Sequence, residues 1–339
     1  MGQIGRRRFL TALGATALAG PFVCAAQRAT RMPRVGILSN GTADSNYIRL
    51  RQRWFNDSMA RAGYVPGTDV LLEWRFAEGN LSRLDALAAE LVRLKVDVIV
   101  GFASGWATTA AKRATSTIPI VMYAGGDYQA SHFVGNLARP IGNVTGTLWA
   151  TDEFDATVKR YELLREAMPS AVRVAELNYD PRWASSLWPG ALRAEQIRAN
   201  QAYGFDVANF AVGRAEEIPS ALDRITEFKP HALYINGGGP IRSGMHEIVR
   251  FALLKKLVTI GTSPQLVYEG GLLYYGPDVR DVLDRTVNYV VRILRGAKPA
   301  ELPVERPSSY VLLLNATTAR AIGYTPPAAF QLRIDSVIE

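Results

Sequence analysis

Leu87-Ala88-Ala89-Glu90-Leu91-Val92-Arg93-Leu94-Lys95-Val96-Asp97-Val98-Ile99-Val100 decides how this chain folds. Its first half completes an alanine- and leucine-rich helix predicted from Leu81 to Leu94. Its second half, Val96 to Val100, is a short β-branched run with almost no polar face. A strand of that kind is buried on both sides, as in a parallel sheet covered by helices.

The same alternation extends in both directions. Upstream, Arg34-Val35-Gly36-Ile37-Leu38 reads as a strand that opens at Ser39-Asn40-Gly41 into a polar loop. A helix over Ile48 to Ala62 follows, with Leu50, Trp54, Phe55 and Met59 at helical spacing and Gly63 as its stop. Val70 to Phe76 is the next strand. Downstream come a helix over Ala107 to Ala114 and a strand over Ile118 to Tyr123. Repeated βα units predict an α/β fold with a doubly wound parallel sheet.

After a boundary near Gly146 to Asp152 the pattern restarts. Helices are predicted over Phe154 to Ala167, Ser185 to Tyr203, Glu216 to Phe228 and Met245 to Lys255. Strands alternate with them at Val172 to Asn178, Asp206 to Ala211, Ala232 to Asn236 and Val258 to Gly261. A tail adds Gly271 to Pro277, a helix over Asp281 to Leu294, a proline-dense crossover from Pro299 to Pro307, a strand over Tyr310 to Leu314 and a helix over Thr317 to Ile322. Two α/β lobes therefore share the body, as 339 residues at about 100 to 200 per domain also suggest. Hydrophobic residues at 48% and charged ones at 21% fit a packed core and argue against a disordered chain.

The start of the chain reads differently. Arg6-Arg7-Arg8-Phe9-Leu10 precedes an apolar stretch, Thr11 to Val23, that is shorter than the roughly 20 residues of a membrane span. Residues 1–26 are therefore expected to be a signal peptide, and the arginine pair followed by Phe-Leu resembles the twin-arginine export motif. Ordinary Sec export is the other reading. Cys24-Ala25-Ala26 supplies the small residues of a cleavage site. Cys24 also admits lipid attachment, although Pro21-Phe22-Val23 lacks the small residue that normally precedes a lipidated cysteine. Cleavage after Ala26 removes three arginines, so the net charge falls from +8 to +5 and the only cysteine is lost. Much of the basicity that would suggest nucleic acid thus belongs to the leader, and no arginine-rich run with interleaved aromatics remains.

Chemistry-bearing motifs are sparse. A disulfide framework and a cysteine-rich metal site are excluded by the single cysteine. His132, His231 and His246 lack metal-ligand spacing, and no GxSxG elbow or GxxxxGK[ST] loop is present. No metal, cofactor or catalytic residue is expected.

Three segments resemble a known family. They are Leu87 to Val100 as quoted; Asn136-Leu137-Ala138-Arg139-Pro140-Ile141-Gly142-Asn143-Val144-Thr145-Gly146; and Ile293-Leu294-Arg295-Gly296-Ala297-Lys298-Pro299-Ala300-Glu301-Leu302-Pro303-Val304-Glu305. Together the chain from Arg34 onward is similar to ABC transporter substrate-binding proteins of the tryptophan- and tyrosine-binding group, within the type I periplasmic binding proteins. The resemblance implies two lobes joined by a three-crossing hinge, lobe 1 over 33–148 plus 272–300 and lobe 2 over 149–271 plus 301–339. It further implies a periplasmic protein whose partners are a small-molecule ligand and an ABC permease with its ATPase. An aromatic amino acid or aromatic carboxylate is the implied ligand. Membrane contact would run through the permease alone unless Cys24 is lipidated.

Open α/β sheets bind ligands beyond the carboxyl ends of their strands, which selects the candidate contacts. Ser39 and Asn40 end the first strand; an Asx turn would explain Asn40 equally well. Ser104-Gly105-Trp106-Ala107-Thr108 opens a helix whose free N–H groups can receive a carboxylate, or whose Ser104 simply caps it. Where relatives have Thr-Pro-Ala at this helix start, Gly105-Trp106-Ala107 stands here. Asp127-Tyr128 follows Gly125-Gly126 and matches the family's Asp-Pro-Val at the aspartate only; Asp127 could pair with a ligand ammonium or serve a turn. Asn178, Asp180 and Trp183 follow a strand of the second lobe and resemble the family's Asn-Pro loop. Trp183 or Trp106 could stack on a flat ligand. Asn236 and Gly237 begin a glycine run that would let backbone approach a ligand. A periplasmic sensor subunit and an enzyme on a two-domain α/β scaffold are the alternative functions.

Overall fold

The predicted apolar strands pair into two sheets, with Leu71–Phe76 and Asp206–Val212 at sheet edges and Arg34–Ser39, Val98–Phe102, Ala232–Ile235 and Val258–Gly261 inside. The computed structural model describes residues 31–102, 104–123, 132–149, 153–179 and 202–339, without the side chains of 153–155. The signal-peptide reading of 1–26, Cys24, and the helix expected over Ser185 to Tyr203 lie outside these residues.

The first sheet has strand order β2-β1-β3-β4-β5, with β1 Arg34–Ser39, β2 Leu71–Phe76, β3 Val98–Phe102, β4 Ile120–Tyr123 and β5 Val144–Thr147. All four pairings are parallel. Helix α1 (Asn46–Arg61) lies on one face, and α2 (Leu84–Arg93) and α3 (Gly105–Ala114) lie on the other. The strand expected at Val96 begins two residues later. Asp97 is held at the sheet entrance instead, its carboxylate accepting from the Arg34 N–H at 2.7 Å. Strand β5 was not anticipated, because its sequence, VTGT, has little apolar signal. Gly146 is required there: its φ is +134°, and a Cβ would lie 2.2 Å from the Met122 carbonyl oxygen.

The second sheet has order β12-β11-β10-β9-β8-β6-β7. Its strands are β6 Arg173–Tyr179, β7 Asp206–Val212, β8 Ala232–Ile235, β9 Val258–Gly261, β10 Leu273–Pro277, β11 Tyr310–Asn315 and β12 Ser336–Ile338. Around it run α4 (Glu153–Ala167), α5 (Ile218–Phe228), the short α6 (Gly239–Ser243), α7 (Met245–Leu254) and the single-turn α8 (Gln265–Tyr268). The amphipathic helix α9 (Val279–Leu294) comes next, followed near the end of the chain by α10 (Ala316–Ile322) and α11 (Ala328–Gln331).

One pairing in this sheet, β10 with β11, is antiparallel, and the others are parallel. The reason lies in the route between the strands. After β10 the chain leaves for the first lobe, where Val282, Leu283, Val287 and Val290 of α9 join the core beneath Val35, Val98 and Val121. It returns at the same end of the sheet, where Asp278 N–H donates to the Ser309 carbonyl at 3.0 Å. The strand that follows must therefore run back along β10. Leu273–Pro277, expected with the first lobe, is thus hydrogen-bonded in the second sheet.

Three chain passages join the lobes: after β5, at Asp278, and between Glu305 and β11. They are tied to each other. Leu148 N–H donates to the Glu305 carbonyl at 2.8 Å and Glu305 N–H to Gly146 at 3.0 Å. The Thr147 and Thr286 hydroxyls meet at 2.6 Å in a buried position. Arg285 of α9 reaches Asp281 at 3.1 Å and Glu305 at 3.2 Å. The result is the expected fold, two α/β lobes with a three-stranded hinge. Among the described residues no helix is long and apolar enough to cross a membrane.

Candidate ligand site between the lobes

Helix α1 carries its buried residues at Tyr47, Ile48, Arg51, Phe55, Ser58 and Met59. Leu50, expected on this face, is half-buried, because the stripe follows Tyr47, Arg51 and Phe55 at steps of four. An arginine therefore occupies the middle of an apolar face. Its side chain is 1% exposed, and among the described residues neither Nε nor Nη2 has a hydrogen-bond partner. The guanidinium carbon lies 4.4 Å from the Phe102 ring centroid, 4.9 Å from that of Tyr123 and 5.4 Å from that of Tyr47. Phe102 and Tyr123 are the last residues of β3 and β4, so Arg51 stands at the carboxyl edge of the first sheet.

The energetics of this arrangement are unfavourable without a further partner. Removing an unpaired ion from water costs several kcal/mol, while each aromatic face returns about 0.5–2 kcal/mol. Among the described residues the buried Tyr47 and Tyr123 hydroxyls likewise have no hydrogen-bond partner. Burial pushes both phenols above their ordinary range, and the positive charge of Arg51 only partly offsets this.

The second lobe closes over the same residues. Tyr268 of α8 stacks on Tyr47, with centroids 5.5 Å apart and planes 21° apart, and meets Trp54 edge-on at 5.6 Å. Ser45 Oγ, at the start of α1, donates to Glu269 at 3.3 Å. Glu269 also accepts from Gln265 Nε2 at 2.7 Å, and the same amide donates to the Arg242 carbonyl at 3.0 Å. Burial raises the Glu269 carboxyl above its usual value, against the lowering effect of these hydrogen bonds. Arg242 of α6 is within electrostatic reach of Arg51, Tyr47 and Tyr123; desolvation first, and then the Arg51 charge, lowers its pKa. Neither arginine has an acidic side chain within salt-bridge distance among the described residues.

The residues singled out from sequence fall around this cluster unevenly. Ser39 is buried, but its hydroxyl accepts from the Gly41 N–H at 3.1 Å. Asn40 is half-buried, and its carbonyl accepts from the Gly79 N–H at 3.0 Å. Ser104 caps α3 by accepting from the Ala107 N–H at 3.3 Å. Thr108 is fully buried and fills the space a Cβ on Gly101 would need, 2.3 Å from its Oγ1. Both are thus occupied by local structure. Gly105 is buried and Trp106 is 42% exposed.

Asn178 and Asn236 stand at the carboxyl ends of the neighbouring strands β6 and β8, where Asn236 N–H donates to the Leu177 carbonyl at 3.0 Å. Among the described residues the buried Asn178 Oδ1 has no hydrogen-bond partner. Asn236 Oδ1 accepts from Thr262 Oγ1 at 3.3 Å, which in turn accepts from Gly237 N–H at 2.9 Å. The glycines there serve packing: a Cβ on Gly237 would lie 2.7 Å from Ser263 Cβ, and one on Gly239 3.0 Å from the Tyr179 ring. Asp127, Tyr128, Asp180 and Trp183 lie outside the described residues.

Sequence reasoning passed over Arg51, Tyr47, Tyr268 and Arg242. The signal for the first two was present, since a charge four residues after Tyr47 and four before Phe55 interrupts an apolar stripe. No comparable signal marks Arg242, which becomes relevant only when the lobes meet. Among the described residues no group of three His, Cys, Asp or Glu side chains could hold a metal ion.

Comparison with known proteins agrees with this architecture. Residues 46–337 match the family described as ABC transporter substrate binding protein. The tyrosine-binding protein of Clostridioides difficile is 22% identical over 271 residues, 80% of this chain and 76% of that protein. A conserved domain protein of Vibrio cholerae superposes with a TM-score of 0.76 at 24% identity, over 91% of this chain and 100% of the other. An ABC domain from Streptococcus pneumonia in complex with L-Trp gives the same TM-score at 25% identity and the same coverage. With its two lobes, its hinge and a family match over most of its length, this chain belongs to the ABC transporter substrate-binding protein family.

Proposed function

We propose that this protein is the exported solute-binding component of an ABC import system and that it closes its lobes on a small aromatic carboxylate, aromatic amino acids included. The observation that carries this reading is Arg51, a buried cation with unused N–H groups, held among three aromatic rings at the carboxyl edge of a sheet. A carboxylate accepts two N–H bonds from a guanidinium in one plane, and rings of the kind present here stack on a flat ligand. The names of the Clostridioides difficile and Streptococcus pneumonia relatives point to the same class of ligand. Asn178 Oδ1 and, by resemblance, Asp127 are the acceptors for an ammonium when the ligand has one.

In this reading the protein is exported by the twin-arginine route with residues 1–26 as the leader, and the closed form is what an ABC permease with its ATPase distinguishes. Binding needs no bond-making step, so no catalytic residue is assigned. The lobes divide at the three hinge passages, with 33–147 and 279–305 on one side.

Thermal unfolding against a panel of aromatic acids and amino acids tests the proposal. A ligand at a hundred times its dissociation constant adds about 2.7 kcal/mol of stability. Stabilisation by at least one aromatic carboxylate is expected; turnover of a panel compound without stabilisation by any would overturn the reading.

A further inference from the structure

Seven buried side-chain nitrogens and oxygens lack a hydrogen-bond partner among the described residues, and four of them belong to Arg51, Tyr47 and Tyr123. These four share one place. The Arg51 guanidinium carbon lies 5.4 Å from the Tyr47 ring centroid and 4.9 Å from that of Tyr123. Phe102, whose centroid is 4.4 Å away, has no polar side-chain atom to offer. The Tyr47 ring is set against Tyr268 by stacking at 5.5 Å, which leaves its hydroxyl unused.

The four atoms are also of one chemical kind. Nε and Nη2 lie along one edge of the planar guanidinium and can only donate. Burial holds both phenols above their ordinary range, so each keeps the proton it can donate. Buried donors left unpaired are costly, and four together require an acceptor with several lone pairs. An ionised carboxylate has two oxygens and about four lone-pair sites. The Nε–Nη2 edge engages both oxygens at once, and a site on each oxygen remains for a phenol.

We propose that Tyr47 and Tyr123 are carboxylate-binding residues, each hydroxyl donating to one oxygen of the group that Arg51 holds. The inference rests on the carboxylate reading above and deepens it. Asp127 stands four positions beyond Tyr123, outside the described residues. A carboxylate there would compete with the ligand for the same donors, so the test includes it.

Calorimetric titration with benzoate, L-tyrosine and L-tryptophan compares the unaltered protein with Tyr47→Phe and Tyr123→Phe, which keep both rings. Whichever of the three compounds binds the unaltered protein most tightly should lose five-fold or more in affinity in each variant. The unfolding temperature of the ligand-free variants should hold or rise, because a buried hydroxyl without a partner has been removed. A purely structural hydroxyl would do the reverse. Asp127→Asn, made in the unaltered protein and in the double phenylalanine variant, should shift the ligand-free unfolding temperature equally in both. A smaller affinity loss in either single variant, or a lower ligand-free unfolding temperature, overturns the phenol inference and leaves the Arg51 reading standing. An Asp127→Asn destabilisation that vanishes in the double variant assigns the donors to Asp127 and overturns it as well. Binding of none of the three compounds by the unaltered protein overturns both.

Discussion

The guanidinium carbon of Arg51 lies 4.4 Å from the centre of the Phe102 ring, deep enough that 1% of the arginine is exposed. A cation so placed is held by aromatic faces, and among the described residues its Nε and Nη2 have no hydrogen-bond partner. Its position is explained by what enters the cleft more readily than by what it contributes to the fold.

Replacing that cation with an apolar side chain of similar length separates the two roles. Arg51→Met is expected to stabilise the ligand-free protein, by about 1–4 kcal/mol, because the desolvation cost of the charge disappears. The same variant should lose its response to aromatic carboxylates. Chemical denaturation and ligand titration of the variant check both; lower stability with unchanged affinity would count against the assignment.

Tyr268 is the aromatic contact by which the second lobe meets α1. Tyr268→Ala removes the stack on Tyr47 and the edge contact with Trp54, each worth about 0.5–1.5 kcal/mol. Closure should weaken while each lobe keeps its core. A loss of ligand affinity of roughly ten-fold, mainly through faster release, is expected with little change in unfolding temperature. Stopped-flow release kinetics would reveal it.

Closure should also depend on pH through Glu269. Its carboxyl is raised above 4.5 in the structure, chiefly by burial between the lobes. A raised carboxyl binds its proton more tightly in the closed state than in water, so its contribution is fully present below the ordinary carboxylate pKa and is lost as pH rises through the folded value. Glu269→Gln mimics the protonated form and should flatten the pH dependence of affinity above pH 4.5. The slope of affinity against pH, compared between the two proteins, decides the matter.

Gly146 sits where β5 crosses behind Met122 close to the hinge. Gly146→Ala places a methyl group 2.2 Å from a carbonyl oxygen on backbone with φ +134°. Strain of this kind costs about 1–3 kcal/mol before the clash is counted, and overpacking adds about 1–3 kcal/mol. Equilibrium unfolding should register a loss of at least ~2 kcal/mol.

Local pattern carried most of the architecture. Strands such as Val258–Gly261 and helices such as Phe154 to Ala167 stood out because burial on both faces demands continuous apolar runs and helical burial demands a period near 3.6. Strand β5 escaped because threonine and glycine give no such run, and its place depends on the Met122 backbone beside it. The site was harder to read. Ser104 and Thr108 have the residue types of a binding loop, but neighbouring backbone already uses their hydroxyls.

From the sequence by itself came the two α/β lobes, the family resemblance, the tail that crosses back to the first lobe and the expectation of an export leader that would hold three of the arginines. Only the tertiary structure decided that β11 runs antiparallel to β10, that Tyr268 lies on Tyr47, and that Arg51 sits among the Phe102, Tyr123 and Tyr47 rings. Periodicity reports which side of an element is buried. Which side chain meets which across a cleft depends on how two distant segments are brought together, and 221 positions separate Tyr47 from Tyr268.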